Sequence, residues 1–494
     1  MKRLAPIMLG GTGSDVGKSL IATGLCRIFL QDGYHPAPFK AQNMALNSFA
    51  TPDGKEIGRA QAVQAEAAGI PCSTDMNPLL LKPSGEHTSQ VVLNGVPIGN
   101  RDSYTYYRNE GRDVLRKEVH DAFDRLAKEY NPIVMEGAGS IAEINLKETD
   151  LVNMSMAKYA DAKVILVADI DRGGVFASVY GSIMLQEPED RERIKGIIVN
   201  KFRGDLRLFE KGSKMMEEVC GVPVLGVVPF AKDIHIEEED SVALSGKRFE
   251  ADPEKVNFAV VMLDHISNYT DFDTIERHPS INLYYALKPE DLKDADVIVL
   301  PGSKSTIADL RILRETGMAE AIIEGYGSGK YVIGICGGYQ MLGDSISDAD
   351  GVEGEPCEIS GLGLLPIATE MNGKKITRQV KFRFLEEEEI CDGYEIHNGR
   401  TSIQKDSAKQ ICHLADGSVD GCMTDDGRCL GSYIHGLLDN DAVINYFPGK
   451  FSGKVSGKEK SMNYKKFKER QYDLLAEHLR KHIDIPALYD ILTP

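Results

Sequence analysis

Nowhere in the 494 residues does an unbroken apolar run approach the length of about eighteen that a membrane-spanning helix needs, so no span is expected. Basic charge is also in deficit. Against 75 Asp and Glu stand only 57 Lys and Arg, a formal net charge of −18. That balance argues against a surface devoted to nucleic acid or anionic lipid, and any small anionic ligand then needs a dedicated local site. Paired cysteines are missing too. The nine, at positions 26, 72, 220, 336, 357, 391, 412, 422 and 429, are odd in number and never in CxxC spacing, which argues against a disulfide framework or zinc ribbon and suits a reducing compartment. There is no internal repeat and no low-complexity tract. The opening MKRLAPIMLGGTG has too short an apolar stretch for a signal peptide, so a cytoplasmic location is expected.

What is present is ordinary for a soluble globular enzyme: 42% hydrophobic and 27% charged residues, with 48 Gly and 21 Pro. At about 150 residues per domain, the length calls for two to four domains. Near-continuous apolar runs at Ala5–Leu9, Ile133–Met135, Val164–Ala168, Ile197–Val199 and Val222–Val228 read as strands buried on both faces. Helical stretches at Lys18–Leu30, Gly58–Ala68 and Val114–Tyr130 lie between them, which predicts a doubly wound parallel sheet over residues 1–232. Residues 233–256 are acidic, without a sustained apolar period, and read as a linker. The same grammar resumes at Asn257–Leu263, Val297–Leu300 and Tyr331–Ile335 and predicts a second α/β domain over 257–445. Residues 446–494 read as a helical extension packing on the body, with Tyr472, Leu475, Ala476, Leu479 and Ile483 at helical spacing.

Two motifs carry chemistry. Gly10-Gly11-Thr12-Gly13-Ser14-Asp15-Val16-Gly17-Lys18-Ser19 follows the first strand and opens the first helix, the setting of a phosphate-binding loop. Amides of Thr12, Gly13, Val16 and Gly17 suit a triphosphate, Lys18 its terminal phosphates and Ser19 a Mg²⁺ ion. The strict pattern requires Gly at 12; here the leading glycine sits one place earlier, at Gly11. Polar groups at strand ends add Glu136 and Asp53 as metal-site candidates, Lys40 as a substrate contact, and Asn200 with Lys201 at the nucleotide base. The second motif, Gly334-Ile335-Cys336-Gly337-Gly338, has the strand–elbow–helix form that exposes a nucleophile, and the helix N-terminus behind Cys336 favours its thiolate. His435, at the end of a later apolar strand, is the candidate base. Backbone amides at Gly302 and Gly337 are candidates for an oxyanion hole. His397, in Tyr394-Glu395-Ile396-His397-Asn398-Gly399-Arg400, reads as structural or interdomain.

The GTxxxVGKS spacing resembles the dethiobiotin synthetase-like branch of P-loop enzymes, which make carboxyl-phosphate anhydrides. The elbow with its histidine resembles class I, flavodoxin-like glutamine amidotransferase domains. One departure stands out: the Glu usual two residues after the histidine is Leu437, and Asp439 is a weak substitute, which leaves a Cys336–His435 dyad. Joined in one chain, and together with Phe39–Ser48, Asp75–Pro83, Glu136–Ser140, Asp169–Gly174, Asn200–Asp205 and Tyr394–Arg400, these motifs resemble the glutamine-hydrolysing amidases of cobalamin synthesis over essentially the whole chain. The resemblance implies ATP, Mg²⁺ and glutamine, and amidation of carboxylates b, d, e and g of an (adenosyl)cobyrinic acid a,c-diamide. It makes Asn43, Asp75 and Lys82 further substrate-contact candidates and leaves room for a homo-oligomer. Two rivals remain open: the sister amidase that installs the a and c amides, and a P-loop ATPase switch carrying an inactive second domain.

Overall fold

The computed structural model describes residues 2–84, 88–102, 106, 112–237, 250–404, 408–447, 450–451 and 463–494. They form two compact units. Unit 1 comprises Met1–Ala45, Ile57–Glu237 and Lys465–Pro494; unit 2 comprises Leu46–Glu56 and Glu238–Tyr464. Much of the expected linker, residues 238–249, lies outside the described residues.

Unit 1 is built on a six-stranded parallel sheet. Its strands are β1 (Ile7–Gly11), β2 (Ala37–Phe39), β3 (Ile133–Glu136), β4 (Lys163–Asp169), β5 (Ile194–Phe202) and β6 (Val224–Pro229), in the order β6-β5-β4-β1-β3-β2. The interior strands are buried along almost their whole length, because helices cover both faces, and this is why their sequences are continuously apolar. Helix α1 (Lys18–Gln31) leaves the phosphate loop, and α2 (Arg59–Ala67) packs beside it. A four-stranded sheet, Gln42–Met44, Leu79–Pro83, Thr88–Leu93 and Val96–Asp102, adjoins in the same unit.

The long C-terminal helix, α5 (Tyr464–His482), packs against α1 with Tyr472, Leu475, Ala476 and Leu479 buried, as its spacing foretells. A Cβ at Gly24 would stand 2.3 Å from Leu479 Cδ1, so glycine lets the helices approach. A buried cluster fastens it as well: Lys468 and Tyr472 both reach Glu66, and Arg59 pairs with Glu237.

Unit 2 holds an eleven-stranded mixed sheet. Its parallel half runs β8 (Ile281–Ala286), β7 (Val256–Val261), β9 (Val297–Leu300), β10 (Tyr331–Ile335) and β17 (Cys429–Ser432). Beyond β17 the sheet continues through β16 (Val419–Met423), β15 (Lys409–Leu414) and β13 (Ile367–Phe384), all antiparallel, then β11 (Ser345–Asp348) and β12 (Cys357–Ser360). Strand β14 (Cys391–Ile403) pairs along β13. This antiparallel half was not foreseen. Its long strands alternate buried and exposed residues, as strands with one wet face do, and so lack the apolar runs that mark the parallel half. Helices α3 (Thr306–Glu315) and α4 (Gly337–Met341) start at the carboxyl ends of β9 and β10.

Candidate active sites

In unit 1 the loop between β1 and α1 is closed by its own lysine. Lys18 Nζ donates to the carbonyls of Gly13 and Gly139, each at 2.9 Å. A Cβ at Gly11 would meet Lys18 Nζ at 2.6 Å and Gly139 O at 2.7 Å, so the displaced glycine of the motif is the one this lysine passes over. Gly17 has φ 95°, and Thr12 N donates to Val167 O at 3.0 Å. From the end of β5, Asn200 Nδ2 donates to Val16 O at 2.9 Å and clamps the loop. Lys201 has φ 59° and pairs with Asp169 at 3.2 Å.

Glu136, at the end of β3, is fully enclosed and collects three donors: Ser19 Oγ at 2.8 Å, Lys40 Nζ at 2.9 Å and Gln64 Nε2 at 2.7 Å. Burial pushes its carboxyl up, but Lys40 and the hydrogen bonds outweigh burial and hold it below the usual carboxylate value. The structure thus brings together Lys18, Ser19, Lys40 and Glu136. Hydroxyl and carboxylate oxygens 2.8 Å apart form a hard-donor pair of the kind Mg²⁺ prefers.

The other candidates make contacts of their own. Asp53 belongs to unit 2, accepts from Thr51 Oγ1 at 2.5 Å and pairs with Lys55 at 3.3 Å. Asp75 is gripped by both nitrogens of the Arg125 fork at 3.0 and 2.7 Å. Asn43 is buried and donates to Gln61 Oε1 at 3.0 Å. Lys82 is buried on the strand Leu79–Pro83, opposite Gln90.

In unit 2, Cys336 turns the chain between β10 and α4 with φ 51° and ψ −106°, a strained conformation for a residue with a side chain. A Cβ at Gly338 would sit 2.1 Å from Leu300 O, so glycine allows the helix to start this close to β9. Gly337 begins α4, where its amide has no partner within the helix, and a Cβ there would meet Ser303 N at 2.9 Å, while a Cβ at Gly302 would meet His435 Cε1 at 3.1 Å. Burial raises the thiols of Cys391 and Cys422, to about 12 and about 11. All nine cysteines are free.

His435 is buried beyond the end of β17. Its Nδ1 bonds Asp271 Oδ2 at 2.7 Å, and Gly436 N donates to Asp271 Oδ1 at 2.8 Å. Burial pulls the imidazole down, but the Asp271 carboxylate and the neighbouring Cys336 sulfur prevail and raise it to about 10. A carboxylate therefore stands behind the histidine, where the sequence pattern left only Leu437. Asp271 lies 164 positions earlier, in a short turn, Tyr269–Phe272, with no motif around it, and only folding brings it to His435. Asp439, two residues from Leu437, is taken by Thr274 Oγ1. His397 is buried, bonds Gly399 O through Nδ1 at 2.8 Å and stacks on Tyr433 at 3.7 Å; burial lowers it to about 4, so it is neutral at physiological pH. The adjoining Ile396 carbonyl accepts from Cys336 Sγ at 3.7 Å.

Residues 7–242 match the CobQ/CobB/MinD/ParA nucleotide binding domain, and residues 257–443 the CobB/CobQ-like glutamine amidotransferase domain. Over 493 residues, all of this chain and 99% of the relative, the sequence is 64% identical to a cobyric acid synthase of Bacteroides fragilis, and it is 63% identical, at the same coverage, to one of Phocaeicola vulgatus. The chain belongs to the cobyric acid synthase family. Its members are carbon–nitrogen ligases with glutamine as the nitrogen donor, and the two α/β units correspond to the family's nucleotide-binding and amidotransferase parts. Among solved structures, PurLQS from Thermotoga maritima aligns with 39% of this chain and 99% of its own at 20% identity and a TM-score of 0.31. No helix among the described residues is long and apolar enough to cross a membrane.

Proposed function

We propose that the chain converts (adenosyl)cobyrinic acid a,c-diamide to (adenosyl)cobyric acid by amidating carboxylates b, d, e and g, with one ATP and one glutamine per amide. The observation that carries the reading is the pairing, in one chain, of a buried Asp271–His435–Cys336 constellation with a phosphate loop backed by Glu136 and Lys40. Full-length likeness to cobyric acid synthases supports the choice of substrate.

In the glutaminase half, the Cys336 sulfur adds to the carboxamide carbon of glutamine, with amides at Gly302 and Gly337 turned toward the developing oxyanion. His435 gives its proton to the departing nitrogen, the C–N bond breaks, and ammonia leaves a thioester that water cleaves to glutamate. In the synthetase half, a carboxylate oxygen of the corrinoid attacks the γ-phosphorus of ATP, the bond to ADP breaks, and an acyl phosphate forms. Ammonia then adds at the acyl carbon and inorganic phosphate departs. Lys18 and the loop amides hold the phosphates, and Lys40 balances charge beside Glu136. Ser19 and Glu136 would hold Mg²⁺, which supplies charge neutralisation at the phosphates when bound.

Mass spectrometry of the corrinoid after incubation with ATP, Mg²⁺ and glutamine tests the reading. Four replacements of OH by NH₂ on the a,c-diamide are expected. Replacement confined to two positions, and only when the unamidated acid is supplied, would assign the chain to the sister reaction instead.

A further inference from the structure

Residues 46–56 belong by sequence to the synthetase half but pack with unit 2. Four contacts hold them there. Ser48 N donates to Asn268 Oδ1 at 2.9 Å, and Gln379 Nε2 donates to Ala50 O at 2.9 Å. The Phe49 ring meets Tyr394 edge-on at 4.6 Å, and the buried Glu56 pairs with Lys375 at 2.5 Å. Ala50, Tyr394 and Ile396 close into a small apolar cluster with Phe49 packed against it.

Two of these partners are supports of the histidine. Tyr394 stacks on His435 at 5.3 Å and exchanges both backbone hydrogen bonds with it, at 3.1 and 2.8 Å. Asn268, with φ 53°, is the left-handed residue that starts the turn presenting Asp271. The segment thus grips His435 through its stacking partner and through the turn that carries its carboxylate. Its flanks in the chain carry Lys40 and Gln64, both bonded to Glu136.

We propose that residues 46–56 position the glutaminase, with Phe49 and the Ser48–Asn268 bond acting through Tyr394 and Asp271 to hold His435 in line with Cys336. The inference rests on the glutaminase reading of Cys336 and His435.

The full-length protein carries the test, with glutamine-driven and ammonium-driven amidation measured side by side. Phe49→Ala is expected to lower kcat with glutamine about 10-fold to 100-fold, as loss of alignment does. The KM for glutamine and the ammonium-driven rate should stay within about twofold, because neither depends on alignment of the histidine. Phe49→Leu should restore most of the rate. Asn268→Gly keeps the left-handed turn while deleting the acceptor, and should lower the same kcat. Full glutamine-driven rates in both Phe49→Ala and Asn268→Gly, or equal losses with ammonium, overturn the positioning role. Cys336→Ala in parallel separates the two readings: if it leaves glutamine-driven amidation intact, the glutaminase assignment itself fails; if it abolishes it while the Phe49 and Asn268 variants are silent, only the positioning role fails.

Discussion

Asp271 touches both the imidazole Nδ1 of His435 and the amide of the next residue, so it fixes the ring and its proton together. Fixing Nδ1 turns Nε2 toward the sulfur, and the negative charge keeps the imidazole protonated despite burial. Asp271→Asn keeps the shape and removes the charge. Burial then goes unopposed on that side, so the alkaline limb of glutamine-driven kcat, set by a group titrating at about 10, should move toward neutral pH. The rate itself should fall roughly 10²-fold to 10⁴-fold, the scale of losing an orienting carboxylate. A pH–rate profile of glutaminase checks both, and an unmoved limb would separate Asp271 from the histidine's proton. Why the residue escaped sequence reading is plain at this scale. Cys336 and His435 sit on strand ends with glycine neighbours and are marked by local pattern, whereas Asp271 becomes a partner only through a tertiary contact. Lys40 and Glu136 were legible because a charged group ending a buried strand is conspicuous in itself.

Strand β17 delivers His435, and its last residue is held from below by a buried carboxylate. Asp420 accepts from Ser432 Oγ and from Tyr433 N, the latter at 3.0 Å. Burial pushes this carboxyl up to about 6, against the pull of its hydrogen bonds. The folded value lies above the ordinary 3.8, so the folded state holds the proton more tightly than the unfolded one; stability present below pH 4 is lost as pH rises through about 6. Asp420→Asn removes that titration. The drop in unfolding free energy between pH 4 and pH 8 should therefore shrink by roughly 2 kcal/mol, as read from denaturant melts at the two pH values. An unchanged drop would show that Asp420 does not couple to folding. At the element scale the parallel strands were readable because two covered faces demand unbroken apolar sequence. The hairpin of β13 and β14 was not, since KKITRQVKFRF carries charge on its wet face, and the excursion of residues 46–56 into unit 2 leaves no compositional trace at all.

For the whole molecule, one chain with a net charge of −18 must gather two anionic reactants and a source of uncharged nitrogen. The long-range field does not help with the anions, so local groups must: Lys18 and Lys40 lie within hydrogen-bond reach of the loop carbonyls and Glu136, where phosphate oxygens would compete for them. Nitrogen is a separate difficulty, because near neutral pH almost all free ammonia is protonated and has no lone pair to offer. Glutamine hydrolysis removes that dependence on pH. If the division of labour holds, Cys336→Ala should lose glutamine-driven amidation while ammonium salts still support it, and the rescued rate should climb about tenfold for each pH unit below the ammonium pKa, as the free-base fraction does. The parent supplied with glutamine should show no such climb. Lys18→Met should stop amidation from either source, since no acyl phosphate forms to be captured. Equal loss from both nitrogen sources in Cys336→Ala would mean that the thiol serves the acid-activating chemistry as well, and that the two halves cannot be assigned separate reactions.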